Sequence, residues 1–228
     1  MKVHMSYGAI LIIICAFLSE NKLIFLIYLT SAFFHEVGHI ICAKALGIKL
    51  KKICLDFAGA RIYPENNLSS YKSEWLLCFG GPLANLTVAF VCYICFCFYT
   101  SNGFFDISAV QDIFMCAWNF AESQSISFPG TVSMLILFSL FQAFINLMPV
   151  STLDGGRMFG CVCSYLFGES FSQKALTFMS LIVSVILWMI SVYLLLRVNA
   201  GLALFSFSLC MFCKIMDNPE ERRINSTI

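Results

Sequence analysis

Apolar residues run through this chain in long blocks separated by short polar breaks. The blocks cover residues 6–18, 22–47, 73–100, 130–148, 173–196 and 200–216. A helix needs ~20 apolar residues to cross the hydrocarbon core of a bilayer, so the pattern predicts about six spans joined by short loops. The first block is short for a span and asks for a tilted helix, a tight hairpin or a locally thinned bilayer.

The breaks differ from one another. Residues 49–72 carry Lys49, Lys51, Lys52, Arg61 and Lys72, together with Pro64. Residues 101–129 hold Asp106, Asp112 and Glu122 but no Lys or Arg. Residues 149–172 hold Pro149, Gly155, Gly156 and Arg157. Cytoplasmic loops collect basic residues. With the amino terminus in the cytoplasm, all of the 14 basic residues except Lys22 and Arg197 border that side. Both termini are therefore expected inside. Residues 49–63, KLKKICLDFAGARIY, are too short for a span and alternate in part. They are expected to form a β-hairpin at the cytoplasmic surface, the alternative being an irregular basic loop.

Composition agrees with the blocks. Of the 228 residues, 60% are hydrophobic and 12% charged, with a formal net charge of +1. Soluble domains carry about 25% charged residues. An ordinary water-soluble domain is thereby excluded, and so is the basic footprint of a nucleic-acid binder. The expected fold class is an all-α polytopic membrane protein with one small hairpin. Its single membrane domain covers residues 1–216, followed by a polar tail, 217–228. Most of the 12 cysteines lie inside apolar runs and read as small hydrophobes. Cys92/Cys95 and Cys210/Cys213 have CxxC spacing but lack the further ligands a zinc site needs. The first apolar run ends in Ser19-Glu20-Asn21-Lys22, not in small cleavage-site residues, so it is not expected to be a signal peptide.

The second block contains His35-Glu36-Val37-Gly38-His39. Residues i and i+4 share one helix face, so both imidazoles can reach one metal ion. Glu36, beside the first ligand, can reach a water activated by that metal and take its proton. Three ionisable residues within five positions of a span are costly in hydrocarbon and mark a functional site. Gly38 suits a close helix approach. Tetrahedral zinc at a catalytic site needs a third protein ligand. Asp154, Glu74 and Asp56 are the acids near the cytoplasmic ends of the spans. Pro149 and Gly155-Gly156 allow a broken helix that turns Asp154 inward, which favours Asp154. Glu74 and Asp56 are the alternatives.

These motifs together resemble the site-2 protease family of intramembrane zinc metalloproteases, peptidase family M50. His35-Glu36-Val37-Gly38-His39 matches its HExxH. Asn146 to Gly156, NLMPVSTLDGG, matches its Asn-Pro-then-Leu-Asp-Gly signature. Gly80-Gly81-Pro82-Leu83-Ala84-Asn85 matches its Gly-Pro-Leu-x-Asn element. Asp56-Phe57-Ala58-Gly59-Ala60 resembles its Phe-Gly-Gly turn, with Ala58 in place of the first Gly. Within the family the sporulation type, which processes a pro-sigma factor, is most similar, although its C-terminal nucleotide-binding domain has no counterpart here.

The resemblance implies Zn2+ held by His35, His39 and Asp154, with Glu36 as general base. It also implies that Asn146, Asn85 and Pro149 serve the substrate side of the site. Its implied partners are a membrane-tethered protein substrate, the bilayer and a regulatory membrane protein. Other readings are a non-catalytic family member that captures membrane helices, an unrelated HExxH membrane protease and a metal transporter. A transporter would need polar residues on several spans, and the fifth and sixth offer little besides Ser and Cys.

Overall fold

The computed structural model describes residues 2–5, 22–48, 50–56, 59–64, 70–100, 107–123 and 126–198. In chain order these form β1 (Lys2–Met5), α1 (Lys22–Ala45), β2 (Leu50–Asp56), β3 (Gly59–Pro64), α2 (Tyr71–Thr100), α3 (Ile107–Ser123), α4 (Phe128–Asn146), α5 (Asp154–Phe167) and α6 (Glu169–Val198). Among the described residues, four helices are long and apolar enough to cross a membrane: α1, α2, α4 and the Glu169–Tyr193 part of α6. They correspond to the second to fifth blocks of the sequence. The first and last blocks, 6–18 and 200–216, lie outside the described residues, as does the tail.

The four helices are inverted relative to a soluble core. No more than a third of each apolar window is buried. Large side chains such as Leu26, Phe33, Ile41, Phe90, Phe98 and Met189 face outward. Serines take the interior: Ser31, Ser133, Ser139, Ser180, Ser184 and Ser191 are each at most 1% exposed. Lipid tails are as apolar as leucine, so helices in a bilayer associate through small residues that admit close approach, with hydrogen bonds between them. Between α1 and α4, Ser31 Oγ lies 3.2 Å from Ser139 Oγ and donates to Gln142 Oε1 at 2.8 Å.

Contacts divide the chain into two compact units, Met1–Ser69 with Leu76–Asn146, and Ser70–Trp75 with Leu147–Ile228. In the first unit a core of Ala89, Phe96, Ile113 and Ile136 joins α2, α3 and α4. Helix α3 occupies much of the 101–129 stretch that the sequence pattern leaves as a loop. Ala109, Ile113, Ala117 and Phe120 are buried while Val110, Phe114, Met115 and Trp118 are exposed. That is a helical stripe, masked by Asp112 and Glu122 within the helix and by its length of 17 residues.

The first unit also holds a sheet of order β1-β2-β3. Strands β2 and β3 pair antiparallel, with Asp56 opposite Gly59, and β1 pairs parallel to β2, with Lys2 opposite Lys52. The sequence pattern predicts only the hairpin; β1 adds a third strand to it. Helix α1 stops before this sheet at Gly47, whose φ of 67° lies in the left-handed region that glycine enters without a Cβ penalty.

In the second unit α5 packs against α6. Gly168, φ 87°, separates them, and its N–H closes the end of α5 on Ser164 O at 3.1 Å. Ser172 Oγ donates to Gly160 O at 2.8 Å. Arg157 on α5 and Glu74, in the first turn of α2, form an ion pair at 3.2 Å, about one-third exposed on each side.

Candidate metal centre

His35 and His39 sit one turn apart on the buried face of α1, at 4% and 5% exposure. Their rings are nearly perpendicular (84°), with centroids 4.8 Å apart. The two Nε2 atoms converge to 3.2 Å. Two nitrogens on one tetrahedral zinc at 2.0–2.1 Å would stand about 3.3 Å apart, so the pair is already spaced for one ion.

The opposite nitrogens are held from α2. His39 Nδ1 lies 2.8 Å from the backbone carbonyl of Leu77. A carbonyl can only accept, so Nδ1 carries the proton and Nε2 of the neutral ring keeps its lone pair. His35 Nδ1 lies 3.3 Å from the Asn85 side-chain amide. Metal-bound histidines ordinarily have their other ring nitrogen anchored in this way.

Three glycines let the helices meet. A Cβ on Gly38 would strike the carbonyl oxygen of Gly80 and lie 2.5 Å from Ala84 Cβ. One on Gly80 would lie 2.8 Å from Cys42 Cβ. Helices α1 and α2 therefore cross with backbone against backbone, the close approach that Gly38 suggests from sequence. Gly81 does something different. A Cβ there would meet His39 Nε2 and lie 2.6 Å from both Cε1 and Nε2 of His35. It would fill the cradle where the two lone pairs point. Two convergent imidazole nitrogens, with the chain kept bare beside them, fit a borderline-soft divalent ion such as zinc.

Glu36 follows His35 directly. It is half-buried, and its Oε2 is shielded from solvent. Asn85 has no exposed surface, and Asn146, the last residue of α4, is 8% exposed.

The second unit holds the remaining expected residues. Asp154 opens α5 as its first residue and is half-buried. The chain before it turns tightly: Val150 N–H donates to Met148 O at 2.8 Å, and Leu153 N–H to Val150 O at 2.9 Å. Gly155 and Gly156 are required by this turn. A Cβ on Gly155 would hit the Leu147 carbonyl, and one on Gly156 the Val150 carbonyl. Ser151 N–H is tied to Ser180 Oγ at 2.9 Å. Pro149 is half-buried within the turn. The structure thus brings His35, Glu36, His39 and Asn85 together in one unit. Asp154 and Pro149 belong to the other. Glu74, the alternative acid, is engaged with Arg157; the side chain of Asp56 lies outside the described residues. Sequence reading missed the role of Gly81 and of the Leu77 carbonyl. Gly81 was visible as an extra Gly before Pro82, but a backbone carbonyl leaves no mark on a sequence.

The chain is similar to known proteins. A zinc metalloprotease of Methanocaldococcus jannaschii is 24% identical over 178 residues, 76% of this chain and 45% of the relative. Stage IV sporulation protein FB of Bacillus subtilis is 23% identical over 159 residues, 69% of this chain and 46% of the relative. The chain spans about half the length of these two relatives. The solved site-2 protease of Methanocaldococcus jannaschii superposes with a TM-score of 0.63 at 22% identity, covering 94% of this chain and 89% of that one. The profile of peptidase family M50 matches residues 23–190. That stretch covers nearly all of the four described helices of membrane-spanning length and both signature motifs, and on that ground the chain belongs to peptidase family M50, the site-2 proteases.

Proposed function

We propose that this protein is an intramembrane zinc metalloprotease that cleaves a membrane-tethered protein within or next to a membrane segment. The observation that carries this reading is the pair of buried imidazoles, spaced for one ion and followed by a glutamate, on a helix long enough to cross a bilayer. His35 and His39 are two of the ligands. Asp154 is the third, on the chemistry of its Leu-Asp-Gly-Gly setting and on family membership. A zinc ion held there supplies a Lewis acid that acidifies water and polarises the scissile carbonyl.

The chain's own residues do the rest. Glu36 takes a proton from the attacking water and delivers it to the departing amine nitrogen, so one carboxylate serves as base and then acid. Asn146 offers its side-chain amide to the substrate backbone or to the developing oxyanion. Pro149 shapes the cleft wall. The polypeptide to be cut must leave its helical hydrogen bonding to expose a carbonyl. An edge of the β1-β2-β3 sheet offers main-chain groups that can hold an extended segment by strand addition. Both termini and the metal centre lie toward the cytoplasm on the distribution of basic residues. A pro-sigma or anti-sigma factor is the substrate class suggested by similarity to the sporulation protein.

The test is Glu36→Gln in detergent-purified protein, with a membrane-tethered peptide as substrate. Zinc should remain bound while cleavage falls by at least about 100-fold. Undiminished cleavage would remove Glu36 from the reaction, and absence of zinc from the unaltered protein would overturn the reading.

A further inference from the structure

Asn85 lies on α2, in the Gly-Pro-Leu-Ala-Asn run, with no exposed surface. Its amide nitrogen Nδ2 is placed 3.3 Å from His35 Nδ1, while its oxygen Oδ1 is buried with no hydrogen-bond partner among the described residues. Taken literally, that orientation has two costs. A buried amide oxygen without a partner costs about 1–3 kcal/mol. An amide nitrogen can only donate, so His35 Nδ1 would have to be the acceptor. The proton of the neutral ring would then sit on Nε2, the atom that faces His39 Nε2 at 3.2 Å.

Rotating the carboxamide by half a turn gives Oδ1 a partner and takes the proton off Nε2, while Nδ2 moves to the position that Oδ1 held. The O and N of an amide are nearly isosteric, and their assignment follows from the hydrogen-bond network. With Oδ1 toward the ring, His35 Nδ1–H donates to a buried acceptor and Nε2 is left with its lone pair. His35 then matches His39, whose Nδ1 already faces a carbonyl acceptor, Leu77 O, at 2.8 Å. The two ligands are held from the same helix by the same device, an oxygen acceptor on the ring nitrogen that does not bind metal.

We propose that Asn85 is a positioning residue for the metal centre: its Oδ1 accepts the Nδ1 proton of His35 and fixes that ring in the tautomer that binds zinc through Nε2. This deepens the metalloprotease reading and rests on it. It assigns Asn85 to a metal ligand and not to the substrate, consistent with its complete burial.

The experiment measures zinc affinity of the full chain in detergent by competition with a fluorescent chelator, together with the melting temperature of the metal-free protein. Asn85→Leu keeps the volume but removes the acceptor, and zinc affinity should fall about 10- to 100-fold. Asn85→Asp keeps an acceptor and removes the donor, so affinity should stay within about threefold of the unaltered protein or rise. A purely structural amide linking two helices would not give this split, because both substitutions would lower the melting temperature and leave affinity together. Unchanged affinity in Asn85→Leu overturns the proposal. So does a large loss in Asn85→Asp, which would mean that the donor matters; this second variant decides the question if Asn85→Leu fails to fold. Failure of the unaltered protein to bind zinc overturns the metalloprotease reading as well, whereas the outcomes above leave that reading standing.

Discussion

Gly81→Ala is the sharpest perturbation of the metal cradle, because it adds one methyl group and no polarity. The new Cβ would lie 2.6 Å from His35 Nε2 and Cε1, and ordinary contact begins at 3.4 Å. The edge of the His35 ring must therefore retreat by about 0.8 Å, and the His39 ring, which the same Cβ meets through Nε2, must move too. Neither ring swings freely, since Leu77 O and Asn85 hold the far nitrogens. Zinc–nitrogen distances tolerate only about 0.2 Å, so a displacement several times larger spoils the ligand pair. Zinc affinity should fall by at least about 10- to 100-fold, or about 1.4–2.8 kcal/mol. The assay is a chelator competition on purified protein, with a melting curve of the metal-free form as control for folding. The same clash is present without metal, so the metal-free melting temperature should fall too, by the equivalent of about 1–3 kcal/mol, and affinity is compared at a temperature where the metal-free form is folded. Affinity within twofold of the unaltered protein would show that the two Nε2 atoms do not converge on an ion beside Gly81.

Three further outcomes are expected. Gly38→Val forces a side chain against the Gly80 carbonyl and Ala84; overpacking of this kind costs about 1–3 kcal/mol, read as a lower melting temperature with or without zinc. Asp154→Asn should weaken zinc binding at least tenfold in the chelator assay, and unaltered affinity would send the search for the third ligand to Glu74 or Asp56. The Cys161 thiol is pushed up to about 12, first by burial and then by the Glu74 carboxylate, with Arg157 partly opposing. Its thiolate is thus a fraction of about 10⁻⁴ at pH 8, so maleimide should leave Cys161 unmodified in the folded protein across pH 7–9 and modify it after denaturation, as mapped by mass spectrometry.

The helix of the candidate metal centre stands out in the sequence because charge is rare in hydrocarbon. His35, Glu36 and His39 stand out in an apolar run for the same reason that they are costly there. The four spans among the described residues were legible by length alone. Helix α3 was not, because its buried stripe of Ala109, Ile113, Ala117 and Phe120 is spread over only 17 residues among exposed Gln111, Asp112, Asn119 and Glu122, too short and too polar to read as a span. Strand β1 was hidden for another reason. Four residues have too little pattern to register, and the partner that makes Lys2–Met5 a strand is supplied from 50 positions downstream. The contacts that complete the metal centre fall between these cases. Gly81 and Asn85 could be read as motif members, but that one leaves room and the other faces a ring nitrogen depends on how α1 and α2 cross.

The parallel pairing of β1 with β2 imposes an order on biogenesis. Strands β2 and β3 are adjacent in sequence and can pair as soon as both have left the ribosome. Strand β1 is synthesised first, yet Lys2 has no partner until Lys52 exists, with the whole of α1 between them. A parallel pair cannot be closed by a tight turn; here the crossover contains a helix that the membrane must first accept. The amino terminus therefore waits on the face where α1 will end, and its docking marks the completed insertion of the helix that carries both histidines. A bulky tag joined directly ahead of Lys2 meets the first paired position, so it burdens that docking. A handle at the carboxyl terminus leaves that step alone.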